Sequence, residues 1–105
     1  MNSPYQKCIE ACQECLVACQ NCLFEIAGMK SMNDCPKCCA ECVDACLICI
    51  KMMAAESKHA SQYCMLCALI CEWCAEQCGE HDHDHCQKCA ASCRRCAEEC
   101  RKVAA

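Results

Sequence analysis

Cysteine supplies 21 of the 105 residues, far above the level at which composition alone signals a thiol scaffold or a metal site. Twenty of these thiols fall into four rows: Cys8, Cys12, Cys15, Cys19 and Cys22; Cys35, Cys39, Cys42, Cys46 and Cys49; Cys64, Cys67, Cys71, Cys74 and Cys78; Cys86, Cys89, Cys93, Cys96 and Cys100. Gaps of three and four residues alternate within each row, which averages 3.5 and puts every member on one seam of an α-helix. Only Cys38 lies off the rows, one turn from Cys35 and Cys42. Thiolates are soft ligands that favour Cu(I), zinc and iron–sulfur clusters over hard cations. The candidate metal ligands are therefore the twenty seam cysteines, with Cys38 beside them.

Geometry and charge separate the three metals. Metal–sulfur bonds are about 2.3 Å long, so an ion held linearly needs two sulfurs about 4.5 Å apart. The CxxxC pairs 8 with 12, 15 with 19, 35 with 39, 42 with 46, 67 with 71, 74 with 78, 89 with 93 and 96 with 100 each provide such a clamp on one helix. A buried tetrathiolate zinc site keeps two negative charges, which is costly and makes stacked sites repel. Each Cu(I) neutralises one thiolate instead, so filling to about one ion per cysteine approaches neutrality. Loading then releases protons from thiols that the metal-free protein keeps protonated. Iron–sulfur clusters call for a CxxCxxC loop with a distant fourth cysteine, and the chain has none. CxxC pairs such as Cys12 with Cys15 and Cys71 with Cys74 resemble redox motifs, but they lie inside the seams with no βαβ context. Disulfides within a row are excluded, because Cβ atoms three or four residues apart on a helix are about 5 to 6 Å apart and a disulfide needs about 3.8 Å.

The thiols need a frame that points four rows inward. Two Gly and two Pro among many Ala, Glu, Gln, Lys and Leu bias the backbone towards long helices. The expected fold is all-α: one domain over 1–105, with helices at about 4–27, 34–55, 58–78 and 84–102. Ser3, Pro4 and Gln6 suggest an N-cap, a first-turn proline and a capping-box partner. Asn33 or Asp34, Ser57, and Asp82 or Asp84 are the candidate caps of the later helices, and Gly28 and Gly79 the candidate left-handed C′ residues. Short connections favour an antiparallel up-down-up-down four-helix bundle with a cysteine-lined core. Leu16, Leu23, Phe24, Leu47, Ile48, Leu69 and Trp73 mark a folded scaffold rather than a metal-ordered coil.

Beyond the cysteines, one end of the bundle collects Ile26, Met29, Met32, Cys35, Cys78 and the segment His81-Asp82-His83-Asp84-His85. Methionine and histidine offer weak, exchangeable Cu(I) sites, so His81, His83 and His85 join the ligand list and this end is the expected mouth. Tyr5, Met52, Met53, His59 and Val103 close the opposite end. Met65, Leu66, Leu69 and Trp73 lie opposite the cysteines of the third helix, with Val17, Phe24, Leu47 and Ile48 similarly placed on the first two, which points to self-association. The net charge of −4 has no basic block, which argues against nucleic acid. No apolar run approaches the 18 to 20 or so residues that span a bilayer. The residues from Met1 to Gln6 lack a basic n-region and an apolar h-region, so a cytoplasmic location is expected, where a reducing environment keeps thiols free. No activated nucleophile or acid–base pair stands apart from the thiols, so no enzyme is expected. The alternatives are a reversibly oxidised thiol protein for redox or detoxification, or a zinc or cadmium buffer.

Four helices carrying CxxxCxxCxxxCxxC or its reverse phase resemble the bacterial copper storage proteins, in their cytosolic form, over nearly the whole chain. The resemblance implies a four-helix bundle, commonly tetrameric, that takes up many Cu(I) ions on the thiolates inside it, here the twenty seam cysteines. A copper chaperone is the further partner that such a store implies.

Overall fold

The computed structural model describes residues 4–31 and 33–105. Four helices follow one another: α1 (Gln6–Ile26), α2 (Cys35–Ala54), α3 (Ala60–Gly79) and α4 (Asp84–Ala104). Each has 20 or 21 residues, about 30 Å at 1.5 Å per residue, within a molecule 41 Å long and 21 by 17 Å across. Each helix packs on its neighbours in sequence and α4 closes onto α1, giving a four-cornered ring. Sulfur contacts fix its direction. Cys8, Cys12, Cys15, Cys19 and Cys22 of α1 meet Cys100, Cys96, Cys93, Cys89 and Cys86 of α4 in that order. Cys35, Cys39, Cys42 and Cys49 of α2 meet Cys78, Cys74, Cys71 and Cys64 of α3. Every step along one helix is matched by an equal step back along its partner, so the pairs are antiparallel and in register.

The helix ends differ in part from the expected ones. Ser3 lies outside the described residues, Pro4 and Tyr5 form a turn, and Gln6 donates to Glu10 at 2.8 Å rather than reaching back as a capping-box partner. Gly28 has a φ of 81°, the left-handed conformation expected just past α1. Gly79 does not share it. α3 runs through Gly79, and tight bonds from Glu80 to Gln77 (3.4 Å) and from His81 to Cys78 (3.1 Å) end the helix, so no left-handed residue is required. A Cβ at Gly79 would lie 3.1 Å from Nη2 of Arg94, so a side chain there would shift the tip of Arg94. Asn33 does serve α2, its Oδ1 accepting the Cys35 N–H at 2.9 Å. Ser57 caps the turn before α3, its Oγ accepting from His59 N–H at 3.1 Å, which delays α3 to Ala60. Asp82 and Asp84 make no side-chain cap: His83 is the N-cap residue of α4, and Asp84 pairs with Lys88 at 3.3 Å.

Across the described residues the core is cysteine, alanine, Ile9 and Met53, with no buried polar or charged side chain. Trp73 is half-buried and packs on the core, which places it across the bundle's own flank. Val17, Phe24, Leu47, Ile48, Leu66 and Leu69 remain about half exposed or more, from 46% to 75%. Exposed ion pairs tie α4 to both neighbours: Arg95 to Glu14 of α1 and Arg101 to Glu72 of α3. Pairs of this kind contribute little each. Among the described residues no helix is long and apolar enough to cross a membrane.

Candidate metal centre

The 3-and-4 alternation keeps each cysteine row facing inward for the length of its helix, and antiparallel packing brings the four rows level. All 21 thiols are buried and none forms a disulfide. Within the rows, Cys15 and Cys19 lie 4.0 Å apart, Cys67 and Cys71 3.9 Å, Cys74 and Cys78 3.8 Å, and Cys96 and Cys100 4.0 Å. Several contacts between helices are shorter: 3.2 Å for Cys35 with Cys78, 3.3 Å for Cys49 with Cys64, 3.4 Å for Cys42 with Cys71 and 3.5 Å for Cys12 with Cys96. Three sulfurs bound at about 2.3 Å around one ion stand about 4.0 Å apart. The spacing therefore suits three-coordinate ions bridging helices, and the isolated single-helix clamp is only part of the arrangement.

Groups of four sulfurs mutually within 4.8 Å recur along the axis. They include Cys12, Cys46, Cys67 and Cys96; Cys12, Cys49, Cys67 and Cys100; Cys15, Cys42, Cys46 and Cys71; Cys15, Cys19, Cys42 and Cys93; and Cys19, Cys39, Cys74 and Cys89. Neighbouring groups share members. A stack of separate four-coordinate zinc sites would need each thiolate for itself, whereas bridging ions of single charge use shared sulfurs naturally. With no nitrogen or oxygen side chain in the described core, hard cations find no suitable donors.

Burial governs the outer thiols Cys35 and Cys86, pushing both above the ordinary thiol range, Cys86 with added help from Cys22. Neighbouring sulfurs push some inner thiols up, Cys71 and Cys74 among them, and others down: Cys39 and Cys78 draw Cys22 down to about 6, and Cys100, Cys12 and Cys64 draw Cys49 down to about 6. Each lowered thiol depends on neighbours that keep their protons, so the interior titrates as one network.

Cys38, off the seam by sequence, is also fully buried. Its thiol donates to the carbonyl of Cys35 at 3.3 Å, beside the sulfur rows rather than in their line. Three of the four histidines, His81, His83 and His85, gather at one end of the bundle. His81 and His83 stack with ring centroids 6.5 Å apart, His83 and His85 at 5.3 Å. Nδ1 of His85 lies 3.5 Å from the Cys86 sulfur. Ile26, Met29, Cys35, His81, His83 and Cys86 help line a cavity there. Met29 is about half exposed, and Met32 lies outside the described residues. At the other end Met53 is fully buried, Tyr5 and Val103 pack against the core, and His59 is exposed.

Sequence reasoning missed the polar clasp around the histidine end, formed by Ser31, Asn33, Gln77 and Gln87. Asn33 Nδ2 donates to the Gln77 carbonyl at 2.8 Å and to Glu80 at 2.7 Å. The Asp34 N–H donates to Gln77 Oε1 at 2.9 Å, and Gln87 donates to the carbonyls of Gly79 (3.1 Å) and His81 (2.5 Å). Asn33 looked like a simple cap in sequence, and nothing in the spacing announced its partners on α3.

The family model described as "Copper storage protein" matches residues 1–105. Among solved structures, Cu(I)-bound copper storage protein BsCsp3 is 42% identical with a TM-score of 0.93, over 98% of this chain and 100% of that one. Apo copper storage protein 3 from Bacillus subtilis is 44% identical with a TM-score of 0.91, over 96% of this chain and 99% of that one. A Nitrosospira multiformis protein is 31% identical with a TM-score of 0.85, over 99% of this chain and 97% of that one. A comparison with curated proteins gives no match.

Proposed function

The chain belongs to the copper storage protein family, and on that premise we propose that it holds many Cu(I) ions on the thiolates inside its bundle. The observation that carries this reading is the sulfur-only interior, 21 buried thiols, many of them in overlapping groups of four, with no competing hard donor among the described residues. The ligands are the twenty seam cysteines, joined by Cys38 through its burial against Cys35. The protein acts as a store and buffer rather than a catalyst, limiting free copper and returning it to a partner such as a copper chaperone. A reducing cytoplasm is the compartment in which so many thiols remain free.

Anaerobic titration with Cu(I), followed by gel filtration, light scattering and metal analysis, tests the proposal. The expected result is retention of about one ion per thiol, with Cu(I) displacing zinc or cadmium added first. Retention of four-thiol equivalents of zinc against Cu(I) would turn the reading into a zinc buffer, and ready formation of disulfides in air without metal would favour the redox alternative. The same run reports assembly. The exposed Val17, Phe24, Leu47, Ile48, Leu66 and Leu69 support a homo-oligomer, and we assign it as a tetramer.

Copper enters at the histidine end. That end offers imidazoles, the half-exposed Met29 thioether and a cavity whose lining includes the thiols Cys35 and Cys86. At the other end Met53 is fully buried, and the lining of the pocket that reaches Cys8 includes Tyr5, Lys7, Glu99, Lys102 and Val103, with no histidine or methionine among the described residues. Replacing His81, His83 and His85 together by Ala is expected to slow loading by about tenfold or more and to leave final capacity nearly unchanged. Stopped-flow mixing with a coloured Cu(I) chelator measures the rate. Loading at the original speed would move the mouth elsewhere.

A further inference from the structure

The three mouth histidines differ in how they are held. The His83 ring has no hydrogen bond among the described residues, and the His85 ring lies 3.5 Å from the Cys86 sulfur. His81 is fixed: its Nε2 lies 2.9 Å from Oδ1 of Asn33, with Ser31 Oγ at 3.4 Å. The proton on that contact can be assigned from chemistry. Asn33 Nδ2 faces two acceptors, the Gln77 carbonyl at 2.8 Å and the Glu80 carboxylate at 2.7 Å, while Oδ1 receives the Cys35 N–H at 2.9 Å. This fixes which end of the amide is oxygen. An amide oxygen only accepts, so Nε2 of His81 must carry the hydrogen, and in the neutral imidazole Nδ1 then carries the lone pair. No hydrogen bond reaches Nδ1 among the described residues. Metal-binding histidines are usually oriented in this way, with one ring N–H donated to an oxygen and the other nitrogen left for the ion.

We propose that Asn33 is the positioning residue of copper uptake: it holds the Nε2–H of His81 and thereby presents Nδ1 as the nitrogen that receives Cu(I) and relays it to the thiols of the mouth. The inference rests on the reading of the histidine end as the door. In the relay the Cu–N bond breaks as a Cu–S bond forms, and the thiol proton leaves to water. Asn33 is suited to the task because its other bonds anchor it to the end of α3 and the start of α2, so the imidazole is referred to two helices of the bundle rather than to its own loop.

The test begins on the unaltered protein. Long-range proton–nitrogen NMR of the apo form is expected to show His81 as the Nε2–H tautomer; a dominant Nδ1–H tautomer overturns the proposal without any variant. Stopped-flow loading from a Cu(I)–chelator complex is then compared for Asn33→Ala, His81→Ala and the double variant, with helix content checked by circular dichroism. Asn33→Ala and His81→Ala are each expected to slow the first phase by about tenfold, and the double variant to be no slower than His81→Ala alone. If His81→Ala is slow but Asn33→Ala loads at the original rate, the positioning role fails while the door stands. If His81→Ala itself loads at the original rate, His81 is not the receiving residue and this inference is overturned, while the door is judged by the triple histidine variant. If Asn33→Ala slows loading equally in the His81→Ala background, Asn33 acts by stitching the loops together and the proposal is overturned.

Discussion

Serine at Cys15, Cys42, Cys71 and Cys93 together is expected to remove at least four ions from the capacity of the protein and to divide its interior in two. These residues form the middle of the sulfur column: Cys15 lies 3.6 Å from Cys42 and from Cys93, and Cys42 lies 3.4 Å from Cys71. They also belong to two overlapping groups, with Cys46 in one and Cys19 in the other, so their loss leaves neither group able to surround an ion. Hydroxyl oxygen is a hard, protonated donor at neutral pH and does not replace thiolate for Cu(I). With about one charge balanced per thiolate, the capacity lost is about the number of thiols lost. Beyond the break lie Cys8, Cys12, Cys46, Cys49, Cys64, Cys67, Cys96 and Cys100, which ions from the histidine end would reach only across a gap. Metal analysis gives the total, and the slow phase of loading reports the far half. Capacity equal to that of the original protein would defeat storage on interior thiolates.

Opposite responses to pH are expected of the empty and the filled bundle. In the empty protein, burial holds Cys35 and Cys86 above the ordinary thiol range, and neighbouring sulfurs hold Cys71 and Cys74 above it as well. Between the unfolded thiol pKa of about 8.5 and the higher folded value, the folded state binds more protons than the unfolded one. Stability therefore falls as pH rises. The contribution is intact below about pH 8.5 and disappears above it, with Cys22 and Cys49, held near 6, and Cys15, Cys38, Cys42, Cys67, Cys89 and Cys96, also lowered by neighbouring sulfurs, acting in the contrary direction. Copper replaces the protons and reverses the sign, because acid now competes with the metal for each thiolate. A site occupied at a thousand times its dissociation constant adds about 4 kcal/mol, so a few sites outweigh the 5 to 15 kcal/mol or so typical of a whole domain. Chemical unfolding under argon at pH 7 and pH 10 should show the empty protein weakened by alkali. The filled protein should resist denaturant at both values and release copper only as the solution is acidified. A filled protein no more resistant than the empty one would mean that the ions bind outside the folded core.

The parts of this molecule that obey a period were legible from sequence. The alternation running from Cys8 to Cys22 and repeated three times identified the helices, the inward faces and the ligands, because a helix has only one way to align residues three and four apart. The ends were less legible, since they depend on bonds between distant residues. Gly79 carries the composition of a helix stop yet stays helical, because the bonds of Glu80 to Gln77 and of His81 to Cys78 end α3 just after it. Ser57 and Asp84 have capping side chains that the turns put to other use. Asn33 could be read as a cap, but its grip on His81 and on the end of α3 arises only when two loops meet at one end of the bundle.

Neighbouring sulfur groups share residues: Cys12 and Cys67 belong to two of them, as do Cys15 and Cys42, and Cys19 joins the next. An ion can therefore move one place along by exchanging some ligands while keeping others, never standing free of sulfur. If the column opens at one end only, such movement makes it a queue without overtaking. The ions admitted first occupy the depth near Met53, and the last to arrive are the first to leave. A cell drawing on this reserve would spend its newest copper before its oldest, and the deepest ions would form a nearly permanent endowment of the protein.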